Sequence, residues 1–195
     1  MRTLALAFAL VAAATLVSST SAMAQAAKTK KQRQRISPHE TITATIDGAE
    51  VKLVYGRPYT KDPKSGEMRK IWGGLVPYGK VWRTGADEAT LLTIAAPIEI
   101  GGTSLAAGTY SLFTVPAEDG SAKLVINKKT GQWGIPYNEA SEKANELARI
   151  DLTKSAIEKK IDQFTMAIEP QSSGGGELKM MWENTQYSVP FTVKK

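Results

Sequence analysis

Apolar and polar residues alternate in short runs along most of the chain, and turn-forming residues separate these runs. The alternation is clearest at residues 41–46, 51–55 and 148–152, where every second side chain is apolar. This pattern predicts β-strands with one buried face, because successive side chains of a strand point to opposite sides of a sheet. The runs at 90–95 and 109–115 are apolar on both faces, which is typical of central strands.

Turn signals connect several of these runs into hairpins. Asp47-Gly48 and Gly101-Gly102 each separate two apolar-rich runs, as in a two-residue hairpin. Apolar side chains at helical spacing predict one short helix at residues 138–147. Repeated helices are missing from the pattern, so parallel strand–helix–strand units are excluded. We predict an all-β fold: a single antiparallel β-sandwich or jelly-roll-like domain with at most one or two short helices.

The first 24 residues have the pattern of a signal peptide. Arg2 precedes an apolar run at residues 4–17, and an A-M-A cleavage motif occupies residues 22–24. The apolar run is shorter than the roughly 20 residues that a membrane-spanning helix needs, so we expect no transmembrane segment. The pattern predicts export to the periplasm or the medium, with cleavage between Ala24 and Gln25.

Residues 25–36 are predicted to form a disordered basic leader, and residues 37–195 the β-sandwich domain. The basic residues of the leader are Lys28, Lys30, Lys31, Arg33 and Arg35. The chain has a formal net charge of +6, but without Arg2 and the leader its 25 basic residues fall to 19, equal to the 19 acidic ones. Because the body is formally neutral, we expect no nucleic-acid partner. Weak contact of the leader with anionic envelope polymers stays open as an alternative to simple disorder.

The chain contains no cysteine and a single histidine, His39. Disulfides, thiol chemistry and a clustered zinc site are therefore not expected. A Ser-His-Asp triad is not indicated, because no G-x-S-x-G motif is present and His39 follows Pro38 in a predicted terminal turn. The carboxylates also lack the spacing of a calcium-binding EF-hand loop. We predict no metal and no cofactor, and we assign no catalytic role to His39.

The densest concentration of aromatic, charged and glycine residues lies at residues 71–95, where a glycine-rich turn leads into a predicted strand. Loops at strand ends commonly carry binding groups, because the scaffold holds them rigid. The candidate ligand-binding residues are Arg57, Trp72, Tyr78, Trp82, Arg83, Asp87, Glu88 and Trp133. The alternative interpretation is architectural: the tryptophans belong to the core, and Arg83 pairs with a carboxylate to brace a buried loop.

Asp87 and Glu88 raise the question of acid–base catalysis on a glycoside. Adjacent residues of a strand point to opposite faces, so only one of the two is expected to enter a given site. A second catalytic carboxylate is not visible in the sequence. The favoured hypothesis is a non-catalytic envelope module that binds a small polar or carbohydrate ligand, or a partner, around Arg83. A glycan-directed hydrolase using Glu88 as general acid or base and a purely structural envelope protein are the alternatives.

Five sequence motifs resemble one known family. They are Y-G-R-P at 55–58, the run G-G-L-V-P-Y-G-K-V-W-R-T-G-A-D-E-A-T at 73–90, A-G-T-Y-S-L-F-T-V-P at 107–116, N-K-K-T-G-Q-W-G at 127–134 and W-E-N-T at 182–185. The chain resembles the domain of unknown function 2911 family, whose members are exported bacterial proteins. The resemblance implies export and a common fold rather than an activity. The family pattern is expected to have asparagine where this chain has Asp87. A position that is a neutral amide in relatives is a poor choice for an essential acid or base, so the resemblance favours Glu88 over Asp87 in that role.

Overall fold

The structure is a computed structural model that describes residues 35–194. The predicted signal peptide, its cleavage site and the leader up to residue 34 lie outside the described residues. No helix in the described part of the chain is long and apolar enough to cross a membrane.

Residues 35–194 form nine strands, and each strand pairs with its neighbours in antiparallel fashion. The strands are β1 (His39–Ile46), β2 (Ala49–Gly56), β3 (Thr90–Ile94), β4 (Ile98–Ile100), β5 (Thr103–Leu105), β6 (Gly108–Pro116), β7 (Ala122–Asn127), β8 (Glu146–Pro170) and β9 (Gly176–Val193). Their order across the sheet is β1-β2-β3-β6-β7-β8-β9-β4-β5. The predicted all-β class is confirmed.

Both predicted hairpins are present. Asp47 and Gly48 connect β1 to β2 with φ values of 48° and 87°, and Gly101 and Gly102 connect β4 to β5 with 54° and 78°. Positive φ at both central positions matches the right-handed twist of the flanking strands, which is why such turns favour glycine and aspartate.

The long strand β8 joins the two halves of the sheet. Its residues 146–152 pair with β7, and its residues 153–170 pair with β9. The two halves then face each other: the ring of Tyr55 on β2 meets Phe164 on β8 at 5.9 Å, and Thr114 Oγ1 on β6 lies 3.6 Å from Met180 Sδ on β9. The sheet thus folds over a main hydrophobic core, as a sandwich does, and a smaller cluster forms around Phe113 and Val125.

The predicted helix is shorter than residues 138–147. Helix α1 covers only Glu139–Glu142, and a 3₁₀ turn follows at Lys143–Asn145. Strand β8 begins at Glu146, which pairs with Asn127 of β7. The hydrogen bonds of the sheet outweigh a helical spacing that covers few turns, since tertiary pairing overrides weak local preference.

The core is anchored by a cluster of aromatic rings. Trp82 stacks on Trp182 with ring centroids 6.0 Å apart, and Phe164 packs edge-on to both rings at 5.0 and 5.7 Å. Trp182 Nε1 donates a hydrogen bond to Thr60 Oγ1 at 3.2 Å. Trp82 is the residue directly before Arg83. Its packing in this cluster therefore holds the start of the loop that carries Arg83.

The Tyr55 hydroxyl links the two halves of the sheet, and its removal should be costly. It donates to Glu40 Oε2 at 2.6 Å and accepts a hydrogen bond from the Met166 amide at 2.9 Å. Tyr55→Phe leaves that buried amide without an acceptor, so we expect a loss of about 1–3 kcal/mol in the free energy of unfolding. Urea unfolding at pH 7 measures this loss, with Tyr110→Phe as a control at a more exposed hydroxyl.

The same substitution should alter alkaline stability. Burial, followed by the hydrogen bond to Glu40, raises the pKa of Tyr55 well above its ordinary range. The neutral hydroxyl therefore stabilises the fold fully below the unfolded pKa of about 10, and this contribution falls as pH rises above that value. Tyr55→Phe should show a shallower loss of stability between pH 9 and 11. Equal slopes for Tyr55→Phe and the wild type would contradict this assignment.

Candidate functional site

The loop between Trp82 and β3 is held by backbone contacts on both sides. Trp82 exchanges two backbone hydrogen bonds with Thr114, each of 2.8 Å. Thr84 and Asp87 then adopt φ values of 52° and 65°, which non-glycine residues rarely adopt. The Thr90 hydroxyl donates to Thr84 O at 2.6 Å and fixes the far end of the loop.

Two glycines let this loop lie directly on β2. The Ala86 amide donates to Gly56 O at 3.2 Å. A Cβ added to Gly56 would lie 2.2 Å from Ala86 O, and one added to Gly85 would lie 2.8 Å from Gly56 O. Side chains at either position would push the two backbones apart, so the glycines set the position of the residues that follow.

Asp87 and Glu88 converge on one histidine. Asp87 Oδ2 lies 3.2 Å and Glu88 Oε2 lies 3.6 Å from His39 Nε2. The expectation that these neighbours point to opposite faces is wrong. Both precede β3, which begins at Thr90, and the positive φ of Asp87 breaks the alternation that an extended strand would impose.

Two residues just before β1, Arg35 and Ser37, contact the carboxylates of Glu88 and Asp87. Arg35 donates from Nε to both Glu88 carboxylate oxygens at 3.0 Å and from Nη2 to Oε1 at 2.8 Å. The Ser37 amide faces Asp87 Oδ2 at 3.4 Å. The Asp87 side chain is only 8% exposed, whereas that of Glu88 is 33% exposed. The loop thus contains one buried carboxylate and one partly exposed carboxylate.

The electrostatic state of Glu88 follows from two opposing effects. Partial burial acts to raise its pKa, but hydrogen bonds and charge attraction from Arg35, with a smaller effect of His39, outweigh burial. The pKa of Glu88 lies below its ordinary value, so this carboxylate is ionised at neutral pH.

Arg83 connects the loop to the neighbouring segment around Trp133. Its Nη1 donates to the carbonyl oxygens of Asp87 at 2.6 Å and Trp133 at 3.2 Å. Its guanidinium carbon lies 5.8 Å from the centre of the Trp133 ring, within the range of a cation–π contact. Glu88 forms its ion pairs with Arg35 and His39.

Arg57, another predicted site residue, braces the two halves of the sheet. Its Nε lies 3.2 Å from Glu40 Oε2 and 3.2 Å from Phe164 O, and its Nη2 donates to Thr165 Oγ1 at 2.8 Å. These contacts place Arg57 among structural groups of β1 and β8 rather than beside Arg83.

The remaining predicted aromatics divide between core and surface. Trp82 is 6% exposed, and Trp72 packs edge-on against it at 6.4 Å and against Tyr187 at 5.5 Å. Tyr78 is 37% exposed, and its ring lies against Gly73, where a Cβ would be 2.5 Å from Tyr78 Cε2. Trp72 therefore packs against Trp82 in the aromatic cluster, and Tyr78 lies at the surface of the same loop region.

A cleft of about 280 Å³ lies beside the loop and contains three of the predicted residues: Trp82, Arg83 and Asp87. The sequence did not identify the other lining residues, among them Ile36, Tyr59, Asp62, Lys64, Arg69, Leu75 and Ile135. A second groove of about 470 Å³ adjoins the cleft and shares Leu75, Trp82 and Ile135 with it. Within residues 35–194, no group of three His, Cys, Asp or Glu side chains is placed to hold a metal ion.

Sequence reasoning missed His39, although a signal for its position existed. Register pairs His39 of β1 with Gly56 of β2, and Gly56 lies directly against Ala86. A hairpin prediction carried out to the last residue pair would have placed His39 near the end of β2. Only the contact of β2 with the loop then brings Asp87 within reach.

Comparison with known proteins identifies one family. A family model described as protein of unknown function (DUF2911) matches residues 37–191, which include β1 to β8 and most of β9. The match confirms the resemblance that the sequence motifs indicated. A search of curated proteins and a search of solved structures each found no match to the chain.

Replacement of Arg83 and of Glu88 should have unequal effects on stability. Arg83→Ala removes the donor to two loop carbonyl groups, so we expect a loss of about 1–3 kcal/mol. Glu88→Gln keeps the shape of a partly exposed side chain, so we expect a change of about 0.5 kcal/mol or less. Urea unfolding of the two variants and the wild type at pH 7 measures the difference.

The pH dependence provides an internal check on Glu88. Because its folded pKa is lowered, its contribution is present above the unfolded pKa of about 4.3 and is lost as pH falls through the folded value. Any difference between the wild type and Glu88→Gln should therefore disappear in strong acid. If Arg83→Ala and Glu88→Gln lose the same free energy of unfolding at pH 7, Glu88 stabilises the loop as much as Arg83 does.

Proposed function

The chain belongs to the DUF2911 family of proteins of unknown function, and we propose that it is a non-catalytic module that binds a small polar ligand. The observation that carries the proposal is the cleft beside Asp87, where a buried carboxylate and the guanidinium groups of Arg69 and Arg83 lie among exposed apolar side chains. We also propose that the protein binds this ligand in the periplasm or the medium, a proposal that the signal-peptide pattern of residues 1–24 supports.

The rigidity of the cleft supports binding. One wall is the loop that lies on Gly56, and its floor is Trp82, which rests on Trp182 and Phe164. Side chains and loops that are already ordered lose little conformational entropy when a ligand binds, so a site on packed elements favours binding. The volume of about 280 Å³ is close to the lower end of the range for small-molecule pockets.

The alternative, a glycan-directed hydrolase using Glu88, receives less support. A general acid needs a pKa near the working pH, but contacts with Arg35 and His39 lower the pKa of Glu88. Glycosidase carboxylates also flank the scissile bond from two sides. Here Asp87 and Glu88 approach the same nitrogen of His39, so they do not form such a pair. A purely structural role does not require the cleft.

A thermal-shift screen tests the proposal. The chain from Gln25 onward is screened against envelope sugars and small metabolites, since a ligand that binds only the folded state raises the melting temperature. Each hit is repeated with Leu75→Asp, which alters the cleft wall, and with Leu147→Asp. Leu147 is a matched control because it is 43% exposed, Leu75 is 42% exposed, and Leu147 does not line either cavity.

The expected result is a ligand shift that Leu75→Asp abolishes and Leu147→Asp retains. A screen without any shift, or hits that respond equally to both variants, would refute a ligand site in this cleft. Mass spectrometry of each hit after incubation tests for turnover. Cleavage that Glu88→Gln abolishes would replace the binding proposal with the hydrolase.

A further inference from the structure

The apolar side chains on the surface are concentrated at the cleft. Seven large hydrophobic side chains in residues 35–194 are exposed, and four of them line this one cavity. They are Ile36 at 53%, Tyr59 at 40%, Leu75 at 42% and Ile135 at 36% exposure. Isolated apolar residues are normal on a protein surface, but several around one cavity mark a surface that a ligand covers.

The charged side chains that line the cleft carry a net charge of +1. Three basic residues, Lys64, Arg69 and Arg83, line it together with two acidic residues, Asp62 and Asp87. Both carboxylates already accept hydrogen bonds from the protein: Asp62 Oδ1 from the amides of residues 64 and 65, and Asp87 Oδ2 from His39. Arg69 Nη1 also lies 3.7 Å from Asp62 Oδ2. The cationic excess favours a ligand with negative charge.

The adjoining groove extends the apolar surface. It continues from Leu75 and Ile135 to Pro77, Pro136 and Tyr137. Lys80 is the one charged residue among those that line it. A ligand held beside Lys64 and Arg69 can therefore extend an apolar chain over Leu75 and Ile135 into this groove.

The two tryptophan rings nearest the cleft, Trp82 and Trp133, are poorly placed for stacking on a sugar. Trp82 is only 6% exposed, since Trp72, Phe164 and Trp182 pack around it. Arg83 covers the ring of Trp133. Three of the four exposed apolar lining residues, Ile36, Leu75 and Ile135, are aliphatic, and Tyr59 is the one aromatic residue among them. Such a lining favours an alkyl chain over a sugar ring.

We infer that the ligand is a small organic anion with an extended apolar tail. Its anionic group lies near Lys64 and Arg69, and its tail lies along Leu75 and Ile135 into the adjoining groove. This inference rests on the proposed function and specifies the class of ligand that the same cleft takes.

Four probes separate charge from apolar length: octanoate, octanamide, butyrate and acetate. Isothermal titration calorimetry with the chain from Gln25 onward measures each affinity at fixed ionic strength. We expect octanoate to bind at least about tenfold more tightly than butyrate, since its four additional methylene groups bury more apolar area in the groove. Octanamide, which lacks the charge, and acetate, which lacks the tail, should bind more weakly than octanoate.

Variants locate the site of binding. Leu75→Asp should abolish octanoate binding, while Leu147→Asp retains it. Lys64→Gln should weaken octanoate about three- to fivefold, as expected for loss of one exposed charge contact. Lys159→Gln, an exposed lysine on β8 outside both cavities, is the matched control. Circular dichroism of each variant confirms that it is folded before titration.

The outcomes distinguish this inference from the proposed function. Equal affinity for octanoate and octanamide, or octanoate binding that Leu75→Asp leaves unchanged, would overturn the amphipathic anion. A neutral sugar that binds in a Leu75-dependent manner while octanoate does not would overturn the inference and leave the proposed function standing. If neither the probes nor the metabolite screen gives binding, both are refuted.

Discussion

Trp182→Ala should lower the free energy of unfolding by about 3–5 kcal/mol, the usual range for removal of a buried tryptophan or phenylalanine side chain. Trp182 is 1% exposed, stacks on Trp82 and packs edge-on against Phe164. The substitution also leaves the Thr60 hydroxyl without its indole donor. Domains of this size have total stabilities of about 5–15 kcal/mol, so the expected loss is a large fraction of the total.

Urea unfolding followed by circular dichroism measures the effect. Trp133→Ala is the control, because it removes the same side chain from a half-buried loop position. Trp182→Phe retains a ring in the cluster and should recover more than half of the loss. If Trp182→Ala and Trp133→Ala cost the same, the aromatic cluster is not the anchor of the core.

Gly56→Ala should disrupt both stability and the candidate site. The added Cβ would lie 2.2 Å from Ala86 O, and no side-chain rotation relieves a clash between a Cβ and a backbone oxygen. Overpacking of this kind typically costs about 1–3 kcal/mol, and occasionally more. We expect a loss at or above the upper end, because the 84–88 loop must move away from β2. Its displacement should also separate Asp87 from His39.

Gly48→Ala is the matched control for this prediction. Gly48 has a φ of 87° and nothing within 4 Å of an added Cβ, so its replacement adds backbone strain without a clash. Such strain costs roughly 1–2 kcal/mol. Urea unfolding compares the two variants, and any ligand found in the thermal-shift screen is titrated against both. Gly56→Ala that is no less stable than Gly48→Ala, and that binds ligand normally, would refute the role of this glycine contact.

The strands and hairpins could be predicted because their signals are local. The alternation at residues 41–46 and the turn at Asp47-Gly48 involve neighbours along the chain, and the structure contains both. The helix at residues 138–147 was predicted from the same kind of pattern and proved too long. Its last residues, 146 and 147, belong to β8, where Glu146 pairs with Asn127 of β7, and a window of ten residues contains no information on a partner strand.

The residues predicted to bind a ligand lie only partly together in the structure, and their role in binding stays a prediction. The cleft is lined by three predicted residues that are near one another in sequence, Trp82, Arg83 and Asp87. Arg57 instead contacts Thr165 of β8, and Trp72 packs against Tyr187 of β9. His39 was set aside, yet its ring contacts both carboxylates of the loop. Side chains separated by about fifty residues meet here, and that distance lies beyond any periodic pattern.

The sequence by itself determined the all-β class, both glycine-containing hairpins and membership of the family, because each rests on neighbouring residues or on a contiguous motif. Only the tertiary structure decided which side of the loop Asp87 and Glu88 face and what they contact. That decision depends on the pairing of β1 with β2, the close approach of Gly56 to Ala86 and the positive φ of Asp87. The strand pairing and the glycine contact join segments that are distant in sequence. They stabilise the conformation of the loop, with its positive φ at Asp87, only once the sheet has formed.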